Sequence, residues 1–328
     1  MKAAWFETFG TAAETLKVGE QPTPVAGPGE VLVRLATSGV NPSDVKKRAG
    51  AFPNLLDGGL VIPHSDGAGV IEAVGEGVDA SRVGERVFVF QAQYGRRFGT
   101  AAEYVALDSR YAPVLPEAAS FEVGAVIGIP IMTAHRCVFA DGPVSGQTVL
   151  ITGGAGRVGD YAIQWASQGG AWVIATASNP DDDARCRAMG AREVVNHREA
   201  GWGDKVRDLT GGELVDRVID VEFGANLPEV LKCIRIGGTI ATYSSTVVPE
   251  PCLPFRDMMF MDLTIRMVIV YAMPEEAKAA AVAATQEALS EGTLDHRIAH
   301  SLPLDEVARS HELIENGGFG GCVVLTLD

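Results

Sequence analysis

No two of the five cysteines, Cys137, Cys186, Cys233, Cys252 and Cys322, stand in a Cys-x-x-Cys pair. Their odd count and wide spacing argue against a disulfide framework and read as reduced, buried thiols of a cytoplasmic protein. Basic charge is scarce as well: 27 Lys and Arg stand against 42 Asp and Glu, a net charge of −15. So acidic a surface repels phosphate backbones and anionic lipids, which excludes nucleic acid and membrane as partners. A phosphorylated cofactor is then held only through a local set of backbone N–H groups and a few cations. No stretch approaches the roughly 20 apolar residues of a membrane span. The opening MKAAWFE carries too short an apolar run for a signal peptide.

What is present is an ordinary globular balance, with 47% hydrophobic and 21% charged residues and as many as 38 glycines. A chain of 328 residues exceeds the size at which one core stops growing, so two domains are expected. The first third reads as β: Val31, Val33 and Leu35 alternate with other residues, and Gly-rich turns separate short runs at 67–74, 86–90 and 102–107. Character changes near Phe121. Apolar runs at 148–152, 172–177, 194–195, 215–220 and 239–243 then alternate with helical segments at 158–167, 181–189 and 227–234. That alternation predicts a parallel sheet with helices on both faces. The end differs again, with a β-rich 263–271, an Ala-rich helix over 274–289 and a last strand at 322–327. The expected fold is α/β: a β-rich domain over 1–122 and 265–328, discontinuous in sequence, and a doubly wound Rossmann domain over 123–264.

The strongest motif is VLITGGAGRVG at 149–159. Gly154, Gly156 and Gly159 fit G-x-G-x-x-G between a strand and an apolar helix. Gly154 is expected to permit the tight turn, Gly156 to let the pyrophosphate approach, and Gly159 to let helix and strand pack closely. Ala155, Arg157 and Val158 complete the loop, whose helix N-terminus offers free N–H groups to the phosphates. The tip of the next strand, 172–178, holds no acid to grip a ribose 2′-hydroxyl, which favours NADP over NAD. Ser178, Asn179 and Arg185 are candidate contacts to the 2′-phosphate. Against this, Asp181, Asp182 and Asp183 follow at once, either as a solvated helix start or turned inward.

These features resemble the medium-chain dehydrogenase/reductase superfamily, in particular its zinc-free, zeta-crystallin-like quinone oxidoreductase branch. GVNPSD at 39–44 resembles the family's G-x-N-x-x-D, and PHSDGAG at 63–69 its P-G-x-E-x-x-G. VGERV at 83–87, AEYV at 102–105, VVNH at 194–197, TGG at 210–212 and GG at 237–238 match in order and spacing. The resemblance implies a GroES-like catalytic domain beside the Rossmann domain, with the reaction in the cleft between them. Where zinc-dependent relatives place Cys, His and Cys, this chain has Asn41, Ser65 and, by a looser alignment, Ile129, and 91–100 lacks the four-cysteine zinc loop. No metal is therefore expected. Tyr residues common in relatives are replaced by Lys46, Phe52 and His197, and a frequent Lys by Asp182. His197 is either a surface residue or a 2′-phosphate contact.

Without zinc, hydride transfer to a conjugated acceptor is the easier chemistry, so an NADPH-dependent quinone or enone reductase is expected. An enoyl-thioester reductase and a non-catalytic cofactor-binding protein are the alternatives. The resemblance implies Asn41, Asp44 and Thr133 as catalytic candidates near the nicotinamide, and Ser244 and Ser245 as cofactor contacts. Phe52, Tyr94 and Phe98 are candidate pocket walls or ordinary aromatics. Arg96 and Arg97 lie on the same loop, either facing an anionic acceptor or solvated. The apolar run 267–271 occupies the position of an edge strand through which relatives pair, which implies a homodimer.

Overall fold

The computed structural model describes residues 1–327 and divides into two compact units, Met1–Ile129 with Val282–Asp328, and Pro130–Ala281. The boundaries fall at 129/130 and 281/282 instead of 122/123 and 264/265, inside the helices Ile129–Phe139 and Glu275–Glu291.

In the first unit, β1 (Lys2–Trp5) and β2 (Lys17–Glu20) form a two-stranded antiparallel ribbon. The larger sheet is organised by β3 (Glu30–Val40). One edge of β3 pairs along most of its length with β4 (Asp66–Val74), which in turn pairs with β5 (Arg86–Val89). The other edge is shared: 30–34 pair with β6 (Tyr104–Asp108), and 37–40 with a C-terminal strand, Cys322–Thr326. Alternation on β3 turns Val31, Val33 and Leu35 inward, where they meet Val87, Val105, Leu107, Val323 and Leu325 in the unit's core.

The second unit carries six strands: β7 (Thr148–Ile151), β8 (Trp172–Ala177), β9 (Glu193–Asn196), β10 (Val215–Asp220), β11 (Ile234–Thr242) and β12 (Thr264–Met267). They run parallel in the order β12-β11-β10-β7-β8-β9. Counted from β7, this is the doubly wound arrangement in which the first strand lies between the second and the fourth. Val149, Leu150 and Ile151 are wholly buried, as a strand covered on both faces requires. Two C-terminal strands, β13 (Ile298–Pro303) and β14 (Cys322–Thr326), pair in parallel and return the chain to the first unit's sheet.

The β-rich stretch expected at 263–271 is a four-residue strand; the Val268 N–H still reaches the Thr242 carbonyl (2.7 Å), and the chain then turns at Val270–Ala272. Four cysteines are buried free thiols, but Cys252 is exposed. Among the described residues, no helix is long and apolar enough to cross a membrane.

Candidate functional site

The glycine loop lies at the carboxyl end of β7, where strand order reverses between β7 and β10. Thr152 donates its hydroxyl to Asp220 Oδ1 (2.6 Å) and accepts the Val221 N–H (3.0 Å), tying the two strand ends together. Burial raises the Asp220 carboxyl above the ordinary range. On the other side, the Gly153 N–H reaches Thr176 Oγ1 (2.9 Å), and the Gly154 N–H reaches the Thr176 carbonyl (2.9 Å).

The glycines divide their work differently from the expectation. The left-handed turn belongs to Gly153 (φ 61°), not Gly154. Gly154 is a packing glycine: a Cβ there would stand 2.8 Å from Cys186 Sγ and 2.9 Å from Ala175 Cβ. Gly159 does let the helix Arg157–Gln168 press on the loop, since a Cβ would stand 2.2 Å from the Gly153 carbonyl oxygen. Gly156, the N-cap, is exposed, and its absent Cβ would meet only the Gly153 oxygen, at 3.0 Å. Of the three glycines of the motif, Gly156 is therefore the one with open space beside it. Ala155 is buried beneath the loop, and Arg157 and Val158 form the first helical turn.

At the tip of β8, Ala177, Ser178, Asn179, Asp183, Val194 and Asn196 line a recess of about 390 Å³. Asn179 is first of all a helix cap. Its Oδ1 accepts the Asp182 N–H (2.9 Å) and its Nδ2 donates to Asp182 Oδ2 (2.7 Å), opening the helix Pro180–Ala188. Asp181, Asp182 and Asp183 occupy that first turn, with Asp183 paired to Arg187 at 2.8 Å. His197 is exposed beside the recess. Partial burial and Arg198 lower its pKa, against a hydrogen bond to the Ala177 carbonyl and the charge of Asp182. Arg185 stands apart from the recess: it grips Asp160 with two bonds, 2.6 and 2.9 Å, and both side chains are largely buried. Its guanidinium is part of the fold and is a poor 2′-phosphate ligand.

Past β11, Thr242, Tyr243, Ser244 and Ser245 line a further recess of about 300 Å³ with Phe223 and Val268. Ser245 Oγ accepts the Gly224 N–H at 3.0 Å and donates to the Val248 carbonyl; Ser244 Oγ lies 3.2 Å from Thr246 Oγ1. Glu222, which the sequence did not single out, holds this loop by accepting the N–H groups of Thr246, Val247 and Val248. Thr133 is buried on the helix Ile129–Phe139.

In the first unit, Asn41 and Asp44 are joined by local structure. The sequence Asn-Pro-Ser-Asp is a helix start, and Asp44 Oδ2 accepts the Asn41 N–H (2.9 Å) at the head of Pro42–Arg48. The Asn41 amide donates to Asp66 Oδ2 (2.8 Å), which also accepts the Ile129 N–H (2.8 Å). Gly128 roofs this carboxylate so closely that a Cβ would stand 2.2 Å from Asp66 Oδ1. Burial raises Asp66 to about 7 and Asp44 to about 6. Lys47 is buried nearby, donates to the Gln93 carbonyl (2.7 Å), and is lowered by the same loss of water.

His64 bonds Ser38 Oγ through Nδ1 and His311 Nε2 through Nε2, both at 2.9 Å, and burial lowers it to about 3. The donor set does not suit zinc. Asn41 and the Ile129 backbone present N–H groups to Asp66, the His64 ring is committed at both nitrogens, and Ser65 supplies no imidazole or thiolate. Lys47 and His311, which the sequence did not single out, are buried beside this cluster and His64 of the PHSDGAG segment. The three expected pocket aromatics do not converge: Phe98 lines a cavity that neither Phe52 nor Tyr94 reaches, and those two are about half exposed.

A parallel sheet with this strand order and a glycine loop at its switch point defines a dinucleotide-binding unit of the dehydrogenase type. Two family models agree: an alcohol dehydrogenase GroES-like domain matches 27–117, and a zinc-binding dehydrogenase matches 158–286. The human quinone oxidoreductase is 33% identical over 334 residues, covering 100% of this chain and 98% of that protein. A mycobacterial protein solved in complex with NADPH has a TM-score of 0.89 at 28% identity, and an NAD-dependent alcohol dehydrogenase 0.87 at 31%. Each comparison covers 100% of both chains. The chain belongs to the quinone oxidoreductase family of the medium-chain dehydrogenase/reductase superfamily, and it is an oxidoreductase.

Proposed function

We propose that the protein reduces quinones or conjugated enones with NADPH, without a metal, as a cytoplasmic homodimer. The observation that carries the reaction is the full-length identity with quinone oxidoreductases. When bound, NADPH supplies the hydride. The chain's own groups bind and position: Gly154 to Gly159 take the pyrophosphate, Ser178, Asn179 and His197 the phosphorylated ribose, and Ser244 and Ser245 a further part of the cofactor. Asn41, Asp44 and Thr133 are the catalytic candidates. In the cluster of the first unit, Asp66 fixes the Asn41 amide and Asp44 fixes its backbone.

NADPH over NADH is supported by the β8 tip, where Ala177 and Ser178 carry no charge and Asp182 and Asp183 are engaged by Asn179 and Arg187. Five free cysteines suit a reducing compartment. The dimer is supported by exposed apolar side chains on and around the unpaired edge of β12, namely Phe260, Met267 and Ile269.

The test is NADPH oxidation with benzoquinone, a conjugated ketone, a crotonyl thioester and ethanol with NADP⁺, each with and without a chelator. Turnover of the quinone or ketone that survives chelation is expected. Alcohol oxidation without quinone turnover would overturn the reading, and turnover of the thioester alone would replace it with enoyl-thioester reduction.

A further inference from the structure

The first unit holds a cavity of about 510 Å³ that shares no lining residue with the Asn41–Asp66 cluster. Its walls come from 21–25, from Leu60 and Ile62, from Arg96 to Phe98, and from β6. Such a volume is within the range of small-molecule sites. The lining is mostly apolar, with Pro22, Pro24, Leu60, Phe98 and Tyr104 supplying ring and aliphatic faces.

Its charge is unlike that of the chain. The protein carries a net −15, yet the charged side chains on this cavity are Arg96 and Arg97 against Glu30 alone. Glu30 spends Oε2 on the Gly27 N–H at 3.0 Å and its charge also acts on Arg96, so the two arginines leave one positive charge in excess. Arg96 is partly buried and spends one nitrogen, Nη2, on the Ala106 carbonyl. A guanidinium has five N–H donors in a planar fork, so most of its donating capacity is left for another acceptor. Arg97 donates to the Leu60 carbonyl at 3.2 Å and lies 5.0 Å from the centre of the Phe98 ring. Its Cδ and Nε pass Gly58 and its Nη1 passes Gly59, where a Cβ would stand 2.9 and 3.1 Å away. The glycines thus let Arg97 lie flat at the cavity wall. Two partly buried guanidinium groups on one apolar cavity are matched by a carboxylate, which accepts two parallel N–H bonds from such a fork.

We infer that this cavity is a second ligand site, taking a small amphipathic carboxylate whose charged end meets Arg96 and Arg97 and whose apolar body lies against Phe98, Tyr104 and Leu60. It requires nothing of the nicotinamide and is independent of the reaction proposed above.

Calorimetric titration of the full chain with octanoate tests it. Octanoate is expected to bind with the same affinity in the presence and absence of saturating NADPH. Octanol, lacking the charge, and inorganic phosphate, lacking the apolar body, should each bind at least about tenfold more weakly. Arg96→Met and Arg97→Met should each weaken octanoate by about tenfold while leaving the NADPH dissociation constant unchanged. No octanoate binding, octanol binding as tight as octanoate, or loss of octanoate under saturating NADPH overturns the inference. So does an unchanged octanoate affinity in both arginine variants. The octanol and phosphate arms need no variant, so the inference stays testable if either substitution disturbs folding.

Discussion

Three glycines of one loop can be separated by the same substitution, because the structure gives each a different neighbour. Gly159→Ala places a methyl carbon 2.2 Å from the Gly153 carbonyl oxygen, so loop and helix must part by about 1 Å. Overpacking of this kind costs about 1–3 kcal/mol, and for a unit of this size that is a fall of about 3–10 °C in Tm. Gly156→Ala meets only one oxygen, at 3.0 Å, on an exposed N-cap with φ −75°, which alanine adopts freely. Its stability should change by less than about 1 kcal/mol, the weaker N-cap offset by a less flexible unfolded chain. Its methyl nonetheless occupies the space where the diphosphate must approach the backbone. Loss of one charge-assisted hydrogen bond, about 1.5–3 kcal/mol, raises the NADPH dissociation constant roughly 10- to 100-fold. Gly154→Ala should resemble Gly159→Ala in stability, because it crowds Cys186 and Ala175. Calorimetric melting and NADPH titration of the three variants give the answer. A Gly156→Ala protein that binds NADPH like the wild type, or a Gly159→Ala protein with unchanged Tm, would refute the division of labour.

Asp66→Asn should flatten the pH dependence of stability. A carboxyl raised to about 7 by burial contributes fully below about pH 4 and loses that contribution as pH climbs through about 7. The span is at most on the order of 4 kcal/mol, so parallel Tm–pH curves for wild type and variant would contradict it. At the cofactor's ribose end, Ala177→Asp should weaken NADPH about tenfold relative to NADH, and His197→Ala should weaken NADPH alone. Arg185→Met should instead lower Tm and affect both cofactors alike, because it removes the guanidinium that balances the buried Asp160 charge; a selective loss of NADPH would return Arg185 to the 2′-phosphate. Met267→Asp should turn a dimer into a 34.5 kDa monomer by light scattering, and a wild type already at 34.5 kDa would remove the dimer.

The Rossmann unit was the most legible part of the chain, for a physical reason. Strands covered on both faces must be short apolar runs, and β8 and β10 have the bounds their sequences suggest, 172–177 and 215–220. Strands with weaker apolar patterns escaped. β2 is Lys-Val-Gly-Glu and β13 is Ile-Ala-His-Ser-Leu-Pro, each held by its neighbour's ladder more than by its own pattern. Spacing alone could not tell which glycine turns the loop. Gly153 turns because Thr176, on the next strand, binds two successive N–H groups there. Nor could spacing show that Arg185 belongs to Asp160, a pairing made across 25 residues by two helices meeting in space.

The Asn41–Asp44 motif illustrates how far a local signal reaches. Asn-Pro-Ser-Asp is sufficient to start a helix, and Asp44 performs that task by accepting the Asn41 N–H. Capping alone, however, does not account for a carboxyl this deeply buried, since exposed Asp and Glu cap helices equally well. Nor does it account for the Asn41 amide, which turns away from the helix to Asp66. Asp44, Asp66 and Lys47 are all buried; Lys47 and each carboxyl act on one another, and Asp44 acts on Asp66. So small a volume cannot hold two carboxylates and one ammonium fully ionised without a net negative charge in an apolar surround. Burial accordingly raises both carboxyls, Asp66 to about 7 and Asp44 to about 6. The Asn41 amide and the Ile129 N–H, both held on Asp66, stand at two of the positions that the resemblance aligns with the metal ligands of zinc-dependent relatives. Asn41 is thus held twice, its backbone N–H by Asp44 and its side-chain amide by Asp66, so the cluster fixes where that side chain stands.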